Sequence, residues 1–446
     1  MTNTCCPALV ITAPSSGSGK TTVVAAIARY FTNLGKQVRV FKTGPDFIDP
    51  AFLAIASKNP VYQLDFWMCG ESHCTQLVAK AAQDADLILI EGVMGMFDGQ
   101  CSSADIAARF DIPVLAVIDA GKMAHTFGAI AHGLATYRSD IKMFGVFANR
   151  VGSEAHSKML SQSLPDNLEY FGFLPKNADI SLPERHLGLV QAQELFDIEQ
   201  RLDHLATLIG QSGNLTLPPS ICFELQHDEH TAMPLQSVRI AIAKDNAFSF
   251  IYQANIELLR SMGAELYFFS PINRESLPNC DALYLPGGYP ELYLEELAQN
   301  VELLNQVREH INLNKPVLAE CGGMLFLNQS LTDSQGNRGE LVGALHADSI
   351  MQTKLTALGL VEGLFTPIDS LRGHTFHYSK TISHEQILCN PVSQRGKVLD
   401  PVWVKGNVIA SYVHWYFPSN AALVATLFRG ELDSDVNAKV ENGCPL

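Results

Sequence analysis

The chain has 446 residues, 47% of them apolar and 17% charged, with 32 Gly and 22 Pro. At about 150 residues per domain this length corresponds to roughly two or three domains, and the composition excludes a disordered, collagenous or heptad-repeat protein. A formal net charge of −15 disfavours nucleic acid and anionic lipid as main partners.

From residue 8 to about 210, β-branched runs alternate with amphipathic stretches, the pattern of βαβ units around a parallel sheet. Strands are expected at 8–13, 38–43, 86–92, 113–119, 143–149 and 169–174, with helices between them, for example at 21–34 and 123–137. A helix over 191–209 closes this half. Between 211 and 236 the periodicity fades and Pro218, Pro219 and Pro234 occur, so this segment reads as a linker. A second α/β run follows, with strands at 238–244, 265–270, 282–286 and 316–320 and a helix over 291–312. Residues 341–415 are richer in strands and His, and a frayed tail is expected from 433. The expected organisation is thus domains at 1–210 and 237–432 joined by a linker.

The longest apolar runs, such as 87–90 and 114–118, fall far below the ~20 residues that span a bilayer, and no charged leader precedes an apolar stretch. A cytoplasmic protein is expected, with no membrane partner. Ten cysteines without a CxxC pair support neither a disulfide framework nor a zinc ribbon, so most are expected to be reduced. Cys69, His73 and Cys74 cluster with a spacing atypical for zinc and read as structural.

Ala13-Pro14-Ser15-Ser16-Gly17-Ser18-Gly19-Lys20-Thr21-Thr22 lies between a buried strand and a helix. Gly17 and Gly19 let the backbone curl so that its N–H groups face a phosphate, while the helix N-terminus adds positive potential. Lys20 can reach the outer phosphates and Thr21 can ligate Mg²⁺. Candidate nucleotide-phosphate contacts are Ser16, Gly17, Ser18, Gly19, Lys20, Thr21 and Thr22. Position 14, where the standard loop has Gly, is Pro14. The loop resembles the variant of the dethiobiotin-synthetase and MinD-like branch, with Ser15 in place of that branch's signature lysine.

Two acidic segments follow strand ends, where an open α/β sheet places its ligand crevice. Lys42-Thr43-Gly44-Pro45-Asp46-Phe47-Ile48-Asp49-Pro50 ends the second strand, and Glu91-Gly92-Val93-Met94-Gly95-Met96-Phe97-Asp98-Gly99 ends the third. Nucleotide-bound Mg²⁺ takes one or two protein carboxylates, and Asp46 and Glu91 are placed to supply them. Asn149, at another strand end, is a candidate reader of adenine.

In the second half, Ala319-Glu320-Cys321-Gly322-Gly323-Met324 follows a buried strand and precedes a helix, a nucleophile-elbow pattern with Cys in place of Ser. The helix N-terminus is expected to favour the thiolate, and the Gly322 N–H to stabilise an oxyanion. Pro286-Gly287-Gly288-Tyr289-Pro290 offers Gly288 as the other donor. The nucleophile needs an imidazole. His346, His374, His377 and His414 are the candidates, with His414 at the end of a β-type run.

Taken together, these segments and Leu182-Pro183-Glu184-Arg185-His186-Leu187-Gly188-Leu189, Arg372-Gly373-His374-Thr375-Phe376-His377-Tyr378-Ser379 and Ser411-Tyr412-Val413-His414-Trp415-Tyr416-Phe417 resemble the cobyrinic acid a,c-diamide synthase family nearly end to end. The resemblance implies an N-terminal P-loop, dethiobiotin-synthetase-like parallel sheet and a C-terminal flavodoxin-like class I glutamine amidotransferase domain. It further implies amidation of the a and c carboxylates of cobyrinic acid, with L-glutamine as nitrogen donor, ATP as co-substrate and Mg²⁺. Cys321 would be the nucleophile and His414 its base, while ATP would convert a carboxylate into an acyl phosphate. Lys42, Asp49, Asp98, Arg185 and His186 would serve substrate and ligase chemistry. Amidotransferases of this class often carry Glu two residues after the catalytic His, where this chain has Tyr416. The Tyr416 hydroxyl is an alternative means of orienting the imidazole. The same chemistry on a metal-free or nickel tetrapyrrole, and a P-loop switch with an inactive second domain, are the competing readings.

Overall fold

Runs such as Val114–Asp119 are apolar on both faces, and a sheet made of them must be covered on both sides. The structure, a computed structural model, is described for residues 2–176, 195–213, 215–225 and 233–432, and for the backbone alone at 184–185 and 188–189. The chain forms two units, Met1–His227 and Asp228–Leu446.

The first unit runs β1 (Thr2–Thr12), α1 (Lys20–Asn33), β2 (Val38–Thr43), α2 (Ile48–Ser57), β3 (Tyr62–Leu64), α3 (Glu71–Ala81), β4 (Leu87–Glu91), α4 (Ser103–Phe110), β5 (Val114–Asp119), α5 (Thr126–Thr136), β6 (Met143–Val151), α6 (Glu154–Gln162), β7 (Tyr170–Pro175), β8 (Glu184–Arg185), β9 (Gly188–Leu189), α7 (Ile198–Ser212) and β10 (Ser220–Leu225). The parallel strands lie in the order β3-β2-β4-β1-β5-β6-β7. Leu115 and Val117 of β5 pack with Val23, Ile27 and Leu205 on one face, and Ala116 and Ile118 pack with Phe127 and Leu160 on the other. Burial on both faces explains the near-continuous apolar strands.

The stretch expected to be a linker contains β10, which pairs antiparallel with the first half of β1. It belongs to the first unit, and β1 is correspondingly longer than its parallel-sheet portion. Cys5 and Cys222 are direct register partners and are joined by a disulfide. The bridge is the exception among the described cysteines, most of which are reduced as expected. The two residues are 217 positions apart, so only the return of β10 onto β1 reveals the pair. Cys6, Cys69, Cys74, Cys101, Cys280, Cys321 and Cys389 are free thiols.

The second unit contains β11 (Arg239–Ala243), α8 (Gln253–Ser261), β12 (Glu265–Phe269), β13 (Ala282–Leu285), α9 (Leu294–Gln299), α10 (Val301–Asn312), β14 (Val317–Glu320) and α11 (Gly322–Leu327). There follow β15 (Asn328–Thr332), β16 (Arg338–Glu340), β17 (Leu345–Met351), β18 (Ala357–Leu364), β19 (Ser370–His377), β20 (Ser379–Ser383), β21 (Gln386–Cys389), β22 (Val392–Ser393), β23 (Val402–Lys405), β24 (Val408–Ser411), β25 (Val413–Trp415) and α12 (Ala421–Arg429). Its main sheet has the order β12-β11-β13-β14-β24-β23-β21, and β19 and β25 belong to a separate four-stranded sheet. The helix expected over 291–312 is broken at Asn300, whose side chain caps α10 by accepting the Leu303 N–H. Among the described residues no helix is long and apolar enough to cross a membrane.

Candidate functional site

In the first unit the chemistry gathers at the C-terminal ends of β1, β2 and β4, which are neighbours in the sheet. The loop after β1 turns through Gly17 at φ 75° and Gly19 at φ 84°, left-handed conformations that glycine adopts without a Cβ clash. Ser16 and Gly17 are exposed at its tip and Thr22 is half-buried on α1. The Ser18 hydroxyl donates to the Ser15 carbonyl at 2.9 Å, closing the loop. Lys20 is buried, which lowers its ammonium pKa, and its Nζ donates to the carbonyls of Met94 at 2.6 Å and Ser15 at 3.3 Å.

Beside the loop, Thr21 Oγ1 donates to Glu91 Oε1 at 2.7 Å. Lys42 is buried and lies 2.6 Å from Asp49, 3.1 Å from Glu91 and 3.8 Å from Asp46. Burial opposes the Lys42 charge, but Asp49, Glu91 and Asp46 outweigh it and raise the ammonium above the ordinary lysine value. Burial also opposes ionisation of Asp49, yet Lys42 and hydrogen bonds hold that carboxyl below the usual range. Glu91 is pushed up by burial against the pull of Lys42. Burial and the neighbouring Asp49 push Asp46 up to about 7. One Asp46 oxygen accepts the Ile48 N–H at 2.9 Å, at the start of α2.

Two further candidates make hydrogen bonds within the protein. Asp98 is exposed, and its carboxylate accepts the Gly95 N–H at 2.9 Å, closing the turn after β4. Asn149, expected to read adenine, donates its amide to the Ser18 carbonyl at 3.0 Å and accepts the Arg150 N–H at 2.9 Å. A Cβ on Gly19 would meet its Nδ2 at 2.0 Å, so Asn149 braces the phosphate loop. Arg185 lies in β8, its side chain outside the described residues, and His186 lies outside them altogether.

In the second unit, Cys321 has φ 43° and ψ −106°, a strained turn between β14 and α11 of the kind that projects a nucleophile. Its N–H donates to the Ser411 carbonyl at 2.7 Å, tying the elbow to β24 just before His414. His414 on β25 is the register partner of His374 on β19. A Cβ on Gly287 would lie 2.2 Å from His414 Cε1 and 3.2 Å from Cys321 Cβ, so nucleophile and imidazole flank one glycine. A Cβ on Gly322 would lie 3.0 Å from the Gly288 nitrogen, which brings the two expected oxyanion donors together.

Burial, with Glu291 nearby, pushes the Cys321 thiol up to about 12. Burial also drives His414 well below the ordinary histidine value, with His374 and His377 adding to the effect. Burial thus favours the neutral thiol and the neutral imidazole, against the expected pull of the following helix toward the thiolate. Such a pair suits general-base catalysis, with the proton moving as sulfur attacks. Tyr416 is buried with its ring edge-on to Tyr252 at 5.5 Å, while the His414 ring neighbours Phe250 at 5.9 Å and His374 at 6.3 Å. His377 bonds to Asp400 at 3.2 Å, and the His346 N–H donates to Glu385 at 2.7 Å.

Sequence reasoning assigned no role to Gly287, although it lies in the Pro-Gly-Gly turn singled out there, nor to the Met94 carbonyl that receives Lys20. Only the meeting of separate strand ends shows either.

Residues 9–190 match the CobQ/CobB/MinD/ParA nucleotide binding domain, and residues 239–422 match the CobB/CobQ-like glutamine amidotransferase domain. A hydrogenobyrinate a,c-diamide synthase of Stutzerimonas stutzeri (strain A1501) is 51% identical, covering 96% of this chain and 100% of its own length. A protein of the same name from Pseudomonas aeruginosa is 50% identical, covering 98% of this chain and 100% of its own length. A cobyrinate a,c-diamide synthase of Herminiimonas arsenicoxydans is 43% identical, covering 95% of this chain and 97% of its own length. With a nucleotide-binding unit, a glutamine amidotransferase unit and whole-length identity of this degree, the chain belongs to the cobyrinate and hydrogenobyrinate a,c-diamide synthase family.

Proposed function

We propose that this protein amidates the a and c side-chain carboxylates of a corrin ring with nitrogen from glutamine, driven by ATP, and that metal-free hydrogenobyrinate is its preferred substrate. The observation that carries this reading is identity of 51% and 50% over essentially the whole chain with two hydrogenobyrinate a,c-diamide synthases. The relative at 43% supports a second reading, the same reaction on cobyrinate.

At the second unit, Cys321 Sγ attacks the glutamine side-chain carbonyl and His414 takes the thiol proton. The Gly288 and Gly322 N–H groups stabilise the oxyanion. His414 then returns the proton to the departing ammonia, and water hydrolyses the thioester to glutamate.

At the first unit, a substrate carboxylate oxygen attacks the γ-phosphorus of ATP and ADP leaves. Ammonia then attacks the acyl phosphate and inorganic phosphate leaves. The phosphate loop and Lys20 hold the triphosphate, while Lys42 offsets the negative charge of carboxylate and phosphate as they approach. Glu91 Oε2 is buried with no hydrogen-bond partner, and Oε1 bonds to the Thr21 hydroxyl, a hard oxygen pair that fits Mg²⁺ with Asp46 nearby. Among the described residues no cluster of three or more His, Cys, Asp or Glu could hold a metal ion, so the cation would rely on nucleotide phosphates for further ligands. When bound, Mg²⁺ neutralises phosphate charge.

The test is ATP- and glutamine-dependent amidation of hydrogenobyrinic and cobyrinic acids, each followed by mass spectrometry and repeated with Cys321→Ala in glutamine and in ammonium. Diamide formed faster from the metal-free acid, lost with glutamine but kept with ammonium in the variant, is expected. Equal or faster turnover of cobyrinic acid would move the assignment to the cobalt corrin. Unchanged glutamine-dependent turnover by Cys321→Ala would remove the nucleophile assignment.

A further inference from the structure

We propose that Glu320 is the positioning residue that sets nucleophile, imidazole and oxyanion turn in register for glutamine hydrolysis. This rests on the reading of Cys321 and His414 as nucleophile and base. Glu320 ends β14 immediately before the elbow and is buried, with 1% of its surface exposed. Its Oε1 accepts the N–H of Trp415 at 3.1 Å, the residue that follows His414. Its Oε2 accepts the hydroxyl of Tyr284 at 2.9 Å. Tyr284 lies on β13, the strand that leads into Gly287 and Gly288. One carboxyl thus ties together the three backbone segments whose spacing defines the centre.

Asn255 of α8 completes the arrangement. It is fully buried, donates Nδ2 to the Trp415 carbonyl at 2.7 Å and accepts the Phe417 N–H at 2.8 Å. The Tyr416 N–H donates to the Arg372 carbonyl at 2.8 Å. The segment after His414 is therefore gripped through its main chain by two side chains that reach it from other elements. The β14–β24 ladder pairs Glu320 with Ser411, but the chain then leaves that sheet and β25 joins another. The Glu320 to Trp415 hydrogen bond spans that crossing and fixes the segment that carries His414 against the elbow. Burial pushes the Glu320 carboxyl up to about 8, a desolvation cost that a purely apolar core position would not carry.

The experiment measures glutamine hydrolysis and ammonium-dependent amidation by the full-length enzyme carrying Glu320→Ala, Glu320→Asp or Glu320→Gln, with Cys321→Ala as reference. Glu320→Ala and Glu320→Asp should lower glutaminase kcat roughly 100-fold, the scale of an ångström-sized misplacement of reacting groups, with KM for glutamine within about threefold. Glu320→Gln, which keeps an oxygen for the Trp415 N–H, should recover most of that loss. Iodoacetamide alkylation of Cys321 should slow in the Ala and Asp variants, and ammonium-dependent amidation should stay at the wild-type rate in all of them. Near-ultraviolet circular dichroism identifies variants whose second unit is folded; where Ala is not, the Asp variant decides. Wild-type glutaminase kcat in a folded Ala or Asp variant overturns the proposal, as does a rise in KM at unchanged kcat, which would make Glu320 a glutamine-binding group. Glutaminase activity surviving in Cys321→Ala would instead refute the reading of the nucleophile on which the proposal stands.

Discussion

Lys42 and Glu91 are register partners on β2 and β4, and their Nζ and Oε1 atoms lie 3.1 Å apart in the interior of the first unit. Glu91 also accepts the hydroxyl of Thr21, the residue after the phosphate-loop lysine. The proposed ligase centre is thereby attached to the sheet backbone. A one-residue slip of β2 against β4 would turn Lys42 to the opposite face.

Lys42→Met should therefore strike stability and ligation together. It leaves the buried Glu91 and the half-buried Asp49 without their cation, a loss of roughly 3–5 kcal/mol for a broken buried pair. Ammonium-dependent amidation should fall roughly 100-fold, the scale for removing one electrostatic contact at a reacting centre. Thermal denaturation and mass spectrometry of the amidated product check the two effects. A stable variant with normal amidation would show that the Lys42 cluster supports neither folding nor ligation.

Asp46 supplies a pH prediction. Its carboxyl is pushed up to about 7, so it is largely protonated below that pH and ionised above it. Only the ionised form is a good ligand for Mg²⁺. The Mg²⁺ concentration giving half-maximal ammonium-dependent amidation should fall as pH rises from about 6 to about 8, and Asp46→Asn should flatten that dependence. Titrating Mg²⁺ at several pH values decides the point.

Gly287 is sterically committed. A methyl group there would occupy space 2.2 Å from His414 Cε1 and 3.2 Å from Cys321 Cβ. Gly287→Ala should lower glutamine hydrolysis roughly 100-fold by separating base and nucleophile, while amidation from ammonium continues. A kinetic comparison of the two nitrogen sources suffices, and equal losses in both would show a general folding defect.

Asn149→Ala removes the brace on the phosphate loop and leaves the buried Ser18 carbonyl without the partner it has at 3.0 Å. An unsatisfied buried acceptor costs about 1–3 kcal/mol. The KM for ATP should rise on the order of 10-fold or more, with glutamine hydrolysis unaffected. Direct contact with adenine predicts something further, a changed preference between ATP and GTP, and measuring both nucleotides separates the roles.

Both candidate centres are marked by local patterns because their defining features are short-range. A strand, a glycine turn and a helix in immediate succession define the loop at Gly17 to Lys20 and the elbow at Cys321, and each needs only neighbouring residues to take its shape. The first half likewise announces its parallel sheet, since strands such as β4 and β5 are apolar on both faces.

What residue order left open was decided by contacts between distant segments. Asp46, Asp49, Asp98 and Glu91 are equivalent acids in the chain, yet three of them surround Lys42 while Asp98 turns back to Gly95. β10 interrupts an aperiodic stretch because its partner β1 lies some two hundred residues earlier, and the Cys5–Cys222 bond follows from that pairing. The environment of the Cys321 thiol is set by burial and by Glu291, which push its pKa up, and neither is visible in the elbow's own residues. Local sequence can specify which backbone shapes form, but strand register and desolvation are properties of the assembled sheet, and they determine which side chains share a charge, a proton or a hydrogen bond.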